Sequence, residues 1–227
     1  MMPTAAEWEV ILLSLRVALA ALALLLVPGV ALGWLLARRN FPGRLAVEVL
    51  VHLPLVMPPV VTGWLLLVLC GRHGPVGQLL EATFGLRLVF TWQGAAVAAA
   101  VMAFPLLVRA ARLAFEAQDR HLEEAAALCG ARPWRVFRSI SLPLAVPGIA
   151  AGLMLAFARC LGEFGATITL AGDIPGETRT LPVAVYALAQ TPDGDAAIVR
   201  LVAFATVVSV VALAGSELLA RRYRRRG

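Results

Sequence analysis

The chain contains apolar runs of about 20 residues or more, and this feature limits what it can fold into more than any other. A run of about 20 apolar residues, wound as an α-helix, is long enough to cross the roughly 30 Å hydrocarbon core of a bilayer. The composition agrees, since 60% of the residues are hydrophobic, against about 45–50% in soluble domains. We therefore predict an all-α integral membrane protein.

The apolar runs predict five crossings, with six as the alternative count, within a single membrane domain over residues 10–220. The predicted spans are about 10–36, 47–70, 92–108, 144–165 and 196–220. One further apolar stretch, 181–189, is too short to cross, and we expect it to lie in the membrane interface or to re-enter the bilayer.

Arginine clusters predict the orientation, because all 20 basic residues are arginine and most lie beside apolar runs. They follow the first run, fill the loop 109–141, and end the chain in a basic tail at 221–227. By the positive-inside rule these segments are cytoplasmic, which places the N-terminus in the periplasm and the C-terminus in the cytoplasm. Arg16, inside the first run, is expected to reach back to the interface. The clusters favour contact with lipid headgroups, and we predict no nucleic-acid partner.

The absence of lysine excludes one class of function from this chain. A P-loop needs a lysine that reaches the β- and γ-phosphates of a nucleotide, so any ATP that drives this protein binds elsewhere. Three cysteines without CxxC spacing and three scattered histidines indicate no metal site. We predict a non-catalytic protein with no cofactor of its own.

Prolines interrupt the second apolar run at Pro54, Pro58 and Pro59. Each removes a backbone donor where no water can compensate, so this helix must be bent or broken. The freed carbonyls then need protein partners, which a position in the bundle interior provides.

The loop 109–141 contains the pattern of a short docking helix. Three alanines at 125–127 favour a helix with a small, flat apolar face, and Gly130 stands where helices often end in a left-handed residue. Such a helix suits a groove on another protein. A solvated loop helix without a partner is the alternative that composition alone allows.

The order of residues in this loop resembles the EAA motif of type I ABC importer permeases. The pattern is Glu-Ala-Ala, three residues, Gly, nine residues, Ile, one residue and Leu-Pro. It is filled here by Glu124, Ala125, Ala126, Gly130, Ile140, Leu142 and Pro143. The resemblance implies the permease fold of that family, with a cytoplasmic coupling helix that seats in a cleft of a separate ATPase subunit. The family assembly would be a homodimer of this chain in the bacterial inner membrane, two ATPase copies that bind ATP and Mg, and a periplasmic oxyanion-binding protein.

Three further segments narrow the resemblance. Residues 52–61, 161–169 and 174–182 look like the corresponding parts of molybdate importer permeases. Sulfate permeases share the Gly-Glu-Phe/Tyr-Gly-Ala core of the second segment, and tungstate nearly equals molybdate in size and charge. The resemblance therefore implies molybdate import, with tungstate and sulfate as alternatives.

The candidate transport pathway is expected at and after the end of the fourth predicted span. An anion in hydrocarbon needs donors or water around it, and the candidate gate or pathway residues are Glu163, Gly165, Thr167, Thr169 and Arg179. Plain helix packing by small residues is the alternative for the glycine and the threonines. Glu163 can pair with Arg159 at i,i+4 near the outer interface, and Arg179 can pair with Glu177.

Two other function classes are set against an importer permease. A gradient-driven anion transporter would place ionisable residues in mid-membrane and often contain inverted repeats. The charges here lie near the ends of the runs, and five crossings do not divide into two halves. A non-transporting scaffold would not need the proline-broken second helix.

Overall fold

The computed structural model describes residues 4–192 and 194–224, and every regular element among them is helical. In chain order these are α1 (Ala5–Arg38), α2 (Arg44–Val56), α3 (Pro59–Cys70), α4 (Pro75–Phe84), α5 (Trp92–Glu116), α6 (Arg120–Leu128), α7 (Pro133–Val136), a π-helical turn (Phe137–Ser141), α8 (Leu142–Leu161), α9 (Gly165–Ala171), α10 (Leu181–Leu188) and α11 (Asp195–Arg224). Of the predicted tail 221–227, residues 225–227 lie outside the described residues.

Helices α1 and α5 pack side by side in parallel and form the centre of the subunit. At one end the Arg16 guanidinium stacks on the Trp92 ring at 3.8 Å, and at the other Arg38 lies beside Gln118, just past α5. We call these the Trp92 end and the Arg38 end. Between them a Cβ added to Gly33 would lie 2.7 Å from the Ala111 Cβ, so the small residues bring the two backbones into close contact.

The second crossing is broken at its prolines, as predicted. α2 ends at Val56, α3 begins at Pro59, and the helix direction bends by 116° between them. α2 starts near the Arg38 end, where Glu48 contacts Arg112 of α5 at 3.0 Å, whereas the chain after α3 leads to the start of α5. Because α1 and α5 are parallel, the bent pair must carry the chain back across the membrane.

The described residues contain four candidate crossings, or five if the bent α2–α3 pair is one span, a range that includes the predicted five. The four are helical segments that are long and apolar enough to span a membrane. α11 begins beside the start of α1, where Arg200 binds Glu7 at 2.5 Å, and its Gly215 lies against Met154 of α8. It therefore runs toward the Arg38 end, so the first and last helices begin at the same end of the bundle.

The fourth crossing is also broken, which the sequence did not reveal. The predicted span 144–165 is interrupted, because α8 ends at Leu161 and α9 starts at Gly165. α9 continues toward the Trp92 end, where the Leu170 carbonyl accepts the Phe90 N–H at 3.2 Å. The short apolar stretch 181–189 forms α10, whose first N–H donates to the Ser14 hydroxyl of α1 at 2.7 Å.

The boundaries of the predicted loop 109–141 need correction. α5 continues past the predicted span end at 108 to Glu116, and the chain is helical again from Pro133. The polar last turns of α5 stay helical because Arg112 pairs with Glu116 at 2.7 Å and with Glu48. The connection that projects from the bundle is therefore residues 117–132, with α6 inside it. α1 likewise extends beyond the predicted 10–36, since Thr4 and Glu7 form a capping box at its start.

Candidate functional site

Helix α6 has defined ends and no buried residue. Asp119 caps its start by accepting the His121 N–H at 3.0 Å. Gly130 ends it at φ +81°, with the Ala131 N–H donating to the Ala126 carbonyl and the Gly130 N–H to the Ala127 carbonyl, the double bond pattern of a left-handed helix stop. The predicted short helix and its glycine end are confirmed.

The two adjacent glutamates of α6 point to different surroundings. Glu123 Oε1 accepts from Arg38 Nη2 at 2.8 Å and from the Ser141 hydroxyl at 2.8 Å. Glu124 is 66% exposed, and its carboxylate lies 3.3 Å from His121 Nδ1. Glu123 therefore holds α6 to the bundle, while Glu124 is free to meet a partner.

The anchor of α6 joins three helices. Arg38, only 7% exposed, ends α1, and Ser141 is the last residue before α8. Gln118 closes the network by donating to the Ser141 carbonyl at 2.9 Å. The network therefore links α6 to the end of α1 and to residues just after α5 and just before α8.

The seven predicted coupling residues fall into two groups. Glu124, Ala125 and Gly130 are exposed and Ala126 is half-buried, all on α6 or its end. Ile140, Leu142 and Pro143 lie on the π turn and the first turn of α8. Leu142 packs against the main core of the subunit, so its place in the motif has a structural reason of its own.

Sequence reasoning missed two features of this region. Leu128, at the end of α6, is 90% exposed, and Trp134, on α7, is 69% exposed. The signal that could have revealed this exposed surface was the presence of apolar residues beside the motif. The π-helical turn was also missed, although Pro143 marks it. In the continuous helix Pro133–Leu161, Pro143 has no N–H to donate to the helical hydrogen bonds. The wider π-helical turn just before it accommodates this missing hydrogen bond.

The two broken crossings meet at their breaks. A Cβ on Gly165, at the start of α9, would lie 2.8 Å from the Pro59 Cβ at the start of α3. Gly63 comes equally close to Ala166. The depth follows from Cys160, whose thiol contacts the Ala99 carbonyl at 3.6 Å, about 10 Å along α5 from Trp92. The breaks therefore lie between the level of Ala99 and the Trp92 end of α5, within the length of the predicted span 92–108.

Glu163 is placed at this double break. Its side chain is 1% exposed, its Oε1 accepts the Ala166 N–H at 2.8 Å, and its Oε2 lies 2.6 Å from Arg159 Nη1. The i,i+4 pair predicted from the sequence is present. It lies within the bundle interior, however, where a charge is costly unless paired.

The other candidate pathway residues are only partly brought together. Thr167 is buried, and the Thr169 hydroxyl donates to the Gly165 carbonyl at 2.7 Å, so both share α9 with Gly165. Arg179 lies on the loop after α9 and binds Asp173 through two contacts of 2.6 and 3.1 Å. The predicted alternative partner Glu177 is therefore wrong; the two contacts with Asp173 match the fork of the guanidinium.

Metal ligands do not cluster in the described part of the chain. Within residues 4–192 and 194–224, no group of three or more His, Cys, Asp or Glu side chains is placed so that it could hold a metal ion.

Comparison with known proteins decides the family. A family model described as the binding-protein-dependent transport system inner membrane component matches residues 29–225. The chain belongs to this family. Its relatives include the molybdenum transport system permease protein ModB of Escherichia coli strain K12, 52% identical over 226 residues and covering 100% of this chain and 99% of the relative. ModB of Haemophilus influenzae is 49% identical over 220 residues, covering 97% and 96%.

A solved structure shows that this inner-membrane component shares its fold with ABC importers. A bacterial ABC transporter chain involved in the import of the acidic polysaccharide alginate superposes with a TM-score of 0.68 and 21% identity, over 98% of this chain and 80% of that chain. The predicted permease fold is confirmed.

Proposed function

We propose that this chain is the membrane-spanning subunit of an ATP-driven importer and translocates molybdate across the bacterial inner membrane. The proposed cargo is supported by the 52% identity, over the full length of both chains, to a molybdenum transport permease. Tungstate and sulfate are the alternative cargoes, because they share the tetrahedral shape and the charge.

ATP acts on this chain through α6. The exposed residues Glu124, Ala125 and Gly130, with half-buried Ala126, contact a separate ATPase subunit, which binds the ATP and Mg. The anchor through Glu123 and Arg38 then passes the motion of the ATPase to α1, α5 and α8. Nucleotide and anion bias one two-state element from opposite ends.

The orientation follows from the arginines at the Arg38 end. Nine arginines lie there, namely Arg38, Arg39, Arg44 and the six of 109–138, whereas Arg200, Arg87 and Arg179 at the other end are each paired with an acid, Glu7, Glu81 and Asp173. Applying the positive-inside rule, the Arg38 end is cytoplasmic, the N-terminus periplasmic and the C-terminus cytoplasmic. Two copies of this chain, two ATPase subunits and a periplasmic oxyanion-binding protein complete the assembly.

The double break is the candidate pathway. Broken helices at membrane depth are tolerated where they are buried in protein or line a cavity, and transporters often place their cargo at such breaks. Glu163, Gly165, Thr167 and Thr169 border this region, and Arg179 attracts the anion at the mouth.

The deciding experiment is uptake of labelled molybdate, tungstate and sulfate into vesicles containing the reconstituted assembly. We expect uptake that requires ATP and the binding protein and favours molybdate or tungstate over sulfate. Preference for sulfate would contradict the cargo. Uptake without the ATPase subunit would contradict the whole mechanism in favour of a gradient-driven transporter.

A further inference from the structure

A groove lies at the Arg38 end, between the last turns of α1 and the segment formed by α7 and the π turn. It consists of two adjoining cavities of about 330 and 360 Å³ that share Trp34, Arg39, Pro133 and Phe137. We call it the α1–α7 groove. Its first cavity, the more polar of the two, is lined by charged side chains and reaches α6, and its second is apolar and opens along α1.

The polar end carries more donors than the protein satisfies. Arg38 is paired with Glu123 through Nη2, but its buried Nε has no acceptor among residues 4–192 and 194–224. The Arg39 guanidinium has no hydrogen bond or ion pair within the same ranges. Arg120 reaches the Ala37 carbonyl at 3.4 Å. Two carboxylates also line this cavity, Glu123 and Glu124, the first bound by Arg38 and the second turned to His121.

The apolar end is an aromatic wall. Phe137 is fixed between two indole rings, with Trp34 edge-on and Trp134 stacked, both at centroid distances of 5.5 Å. Ala31 and Pro133 extend the wall. Trp134 remains 69% exposed, so the wall has an open apolar face next to the unpaired arginine.

The position of the groove along α1 indicates what kind of molecule it binds. Trp34 lies four residues before the end of α1, about 6 Å along the helix axis, and both α1 and the Pro133–Leu161 helix are long and apolar enough to span a membrane. The aromatic wall is therefore at the depth where tryptophans meet lipid headgroups. A soluble anion would use the arginines but leave the wall uncovered, whereas a lipid uses both.

We propose that the α1–α7 groove binds an anionic phospholipid, with the phosphate at Arg39 and the glycerol and upper acyl chain along Trp34 and Trp134. Basic pockets between spanning helices on the cytoplasmic side favour such lipids. Because the groove touches the anchor of α6, a bound lipid would also brace the joint between α6 and the bundle.

The test compares two arginine variants of the assembled transporter, purified in mild detergent. Arg39→Gln removes the proposed ligand. Arg138→Gln is the matched control, since it removes the same charge from an exposed residue of the π turn that lines neither cavity. Native mass spectrometry counts retained phosphatidylglycerol and phosphatidylethanolamine, and thermal unfolding is titrated with each lipid and with inorganic phosphate.

We expect the parent protein and Arg138→Gln to retain phosphatidylglycerol in preference to phosphatidylethanolamine. Arg39→Gln should need about five times more phosphatidylglycerol for half of the stabilisation, because one arginine at an anionic surface contributes a factor of that order. Trp134→Ala should weaken retention with the arginines intact, and inorganic phosphate should stabilise none of the variants.

Four results would overturn the proposal. These are equal lipid retention by the Arg39 and Arg138 variants, equal retention of the two lipids, and stabilisation by inorganic phosphate equal to that by phosphatidylglycerol. The fourth is displacement of the lipid by the ATPase subunit together with weaker ATPase binding by Arg39→Gln, which would make the groove a protein interface.

Discussion

Replacing Glu123 with alanine tests the anchor of α6 directly. The change removes the carboxylate that pairs with Arg38 and accepts the Ser141 hydroxyl, and it leaves Arg38, 7% exposed, with a long 3.4 Å contact to Gln118. Breaking a fully buried pair on one side costs about 3–5 kcal/mol. Because Glu123 is itself 24% exposed, solvent reduces this, and about 2 kcal/mol is expected.

That free energy should appear as local opening of α6. A change of about 2 kcal/mol corresponds to roughly a 30-fold larger open population, so amide hydrogen exchange over residues 120–131 should become faster by about that factor. Exchange in the core of α5, around Ala99 and Ala103, should change little, because the anchor lies at the far end of that helix.

Glu124→Ala is the matched control for this measurement. It removes the neighbouring carboxylate, which is exposed and plays no part in the anchor, so exchange in α6 should stay within about twofold of the parent. For binding of the ATPase subunit in the assembled transporter we expect the opposite, because Glu124→Ala should weaken the contact between α6 and the ATPase. Equal exchange rates in the two variants would refute the assignment of Glu123 as anchor.

Three further predictions follow from the packing and the ion pairs. Gly33→Ala should lower the thermal stability in detergent by about 1–3 kcal/mol through overpacking, since its Cβ would lie 2.7 Å from Ala111 Cβ; Gly162→Ala, whose Cβ would meet nothing nearer than 3.7 Å, is the control, and equal stability of the two would count against the close α1–α5 contact. Arg159→Gln and Glu163→Gln should each cost about 2 kcal/mol, and the double variant should recover part of that loss because no unpaired charge remains; additive losses in a double-mutant cycle would mean the two side chains are not coupled. Arg179→Gln should slow anion uptake more at low than at high ionic strength, whereas unchanged uptake at every salt concentration would leave Arg179 only its contact with Asp173.

Much of the fold could be predicted because its signals are local. Apolar run length gives the number of crossings, and Pro58 and Pro59 give the break between α2 and α3, since each lacks the donor that a helix needs. Gly130 predicts the end of α6 for a similarly local reason, because glycine tolerates a positive φ without steric cost.

The second break could not be predicted because its cause is tertiary. Residues 162–164 contain no proline, and the chain leaves the helix where the Glu163 carboxylate caps α9 and where Gly165 meets α3. Arg16 shows the same limit. It is exposed and lies on the Trp92 ring at the start of α5, a partner on another helix that the sequence did not indicate.

The candidate site divides in the same way. The motif spacing predicted which short helix would project, but not which of two adjacent glutamates would face outward. That choice depends on the Arg38 and Ser141 side chains, which lie 85 and 18 residues away in sequence. Leu142 likewise owes its position to core packing, which a motif cannot distinguish from contact with a partner.

The absence of free space between Gly33 and Ala111 has a mechanical consequence. Two helices that touch backbone to backbone cannot slide past each other without separating first, and separation would expose the contact along its whole length. A push delivered at the Arg38 end should therefore tilt both helices together as a rigid pair. Any bending needed for opening would then fall on the two pairs of half-helices, at their proline and glycine breaks.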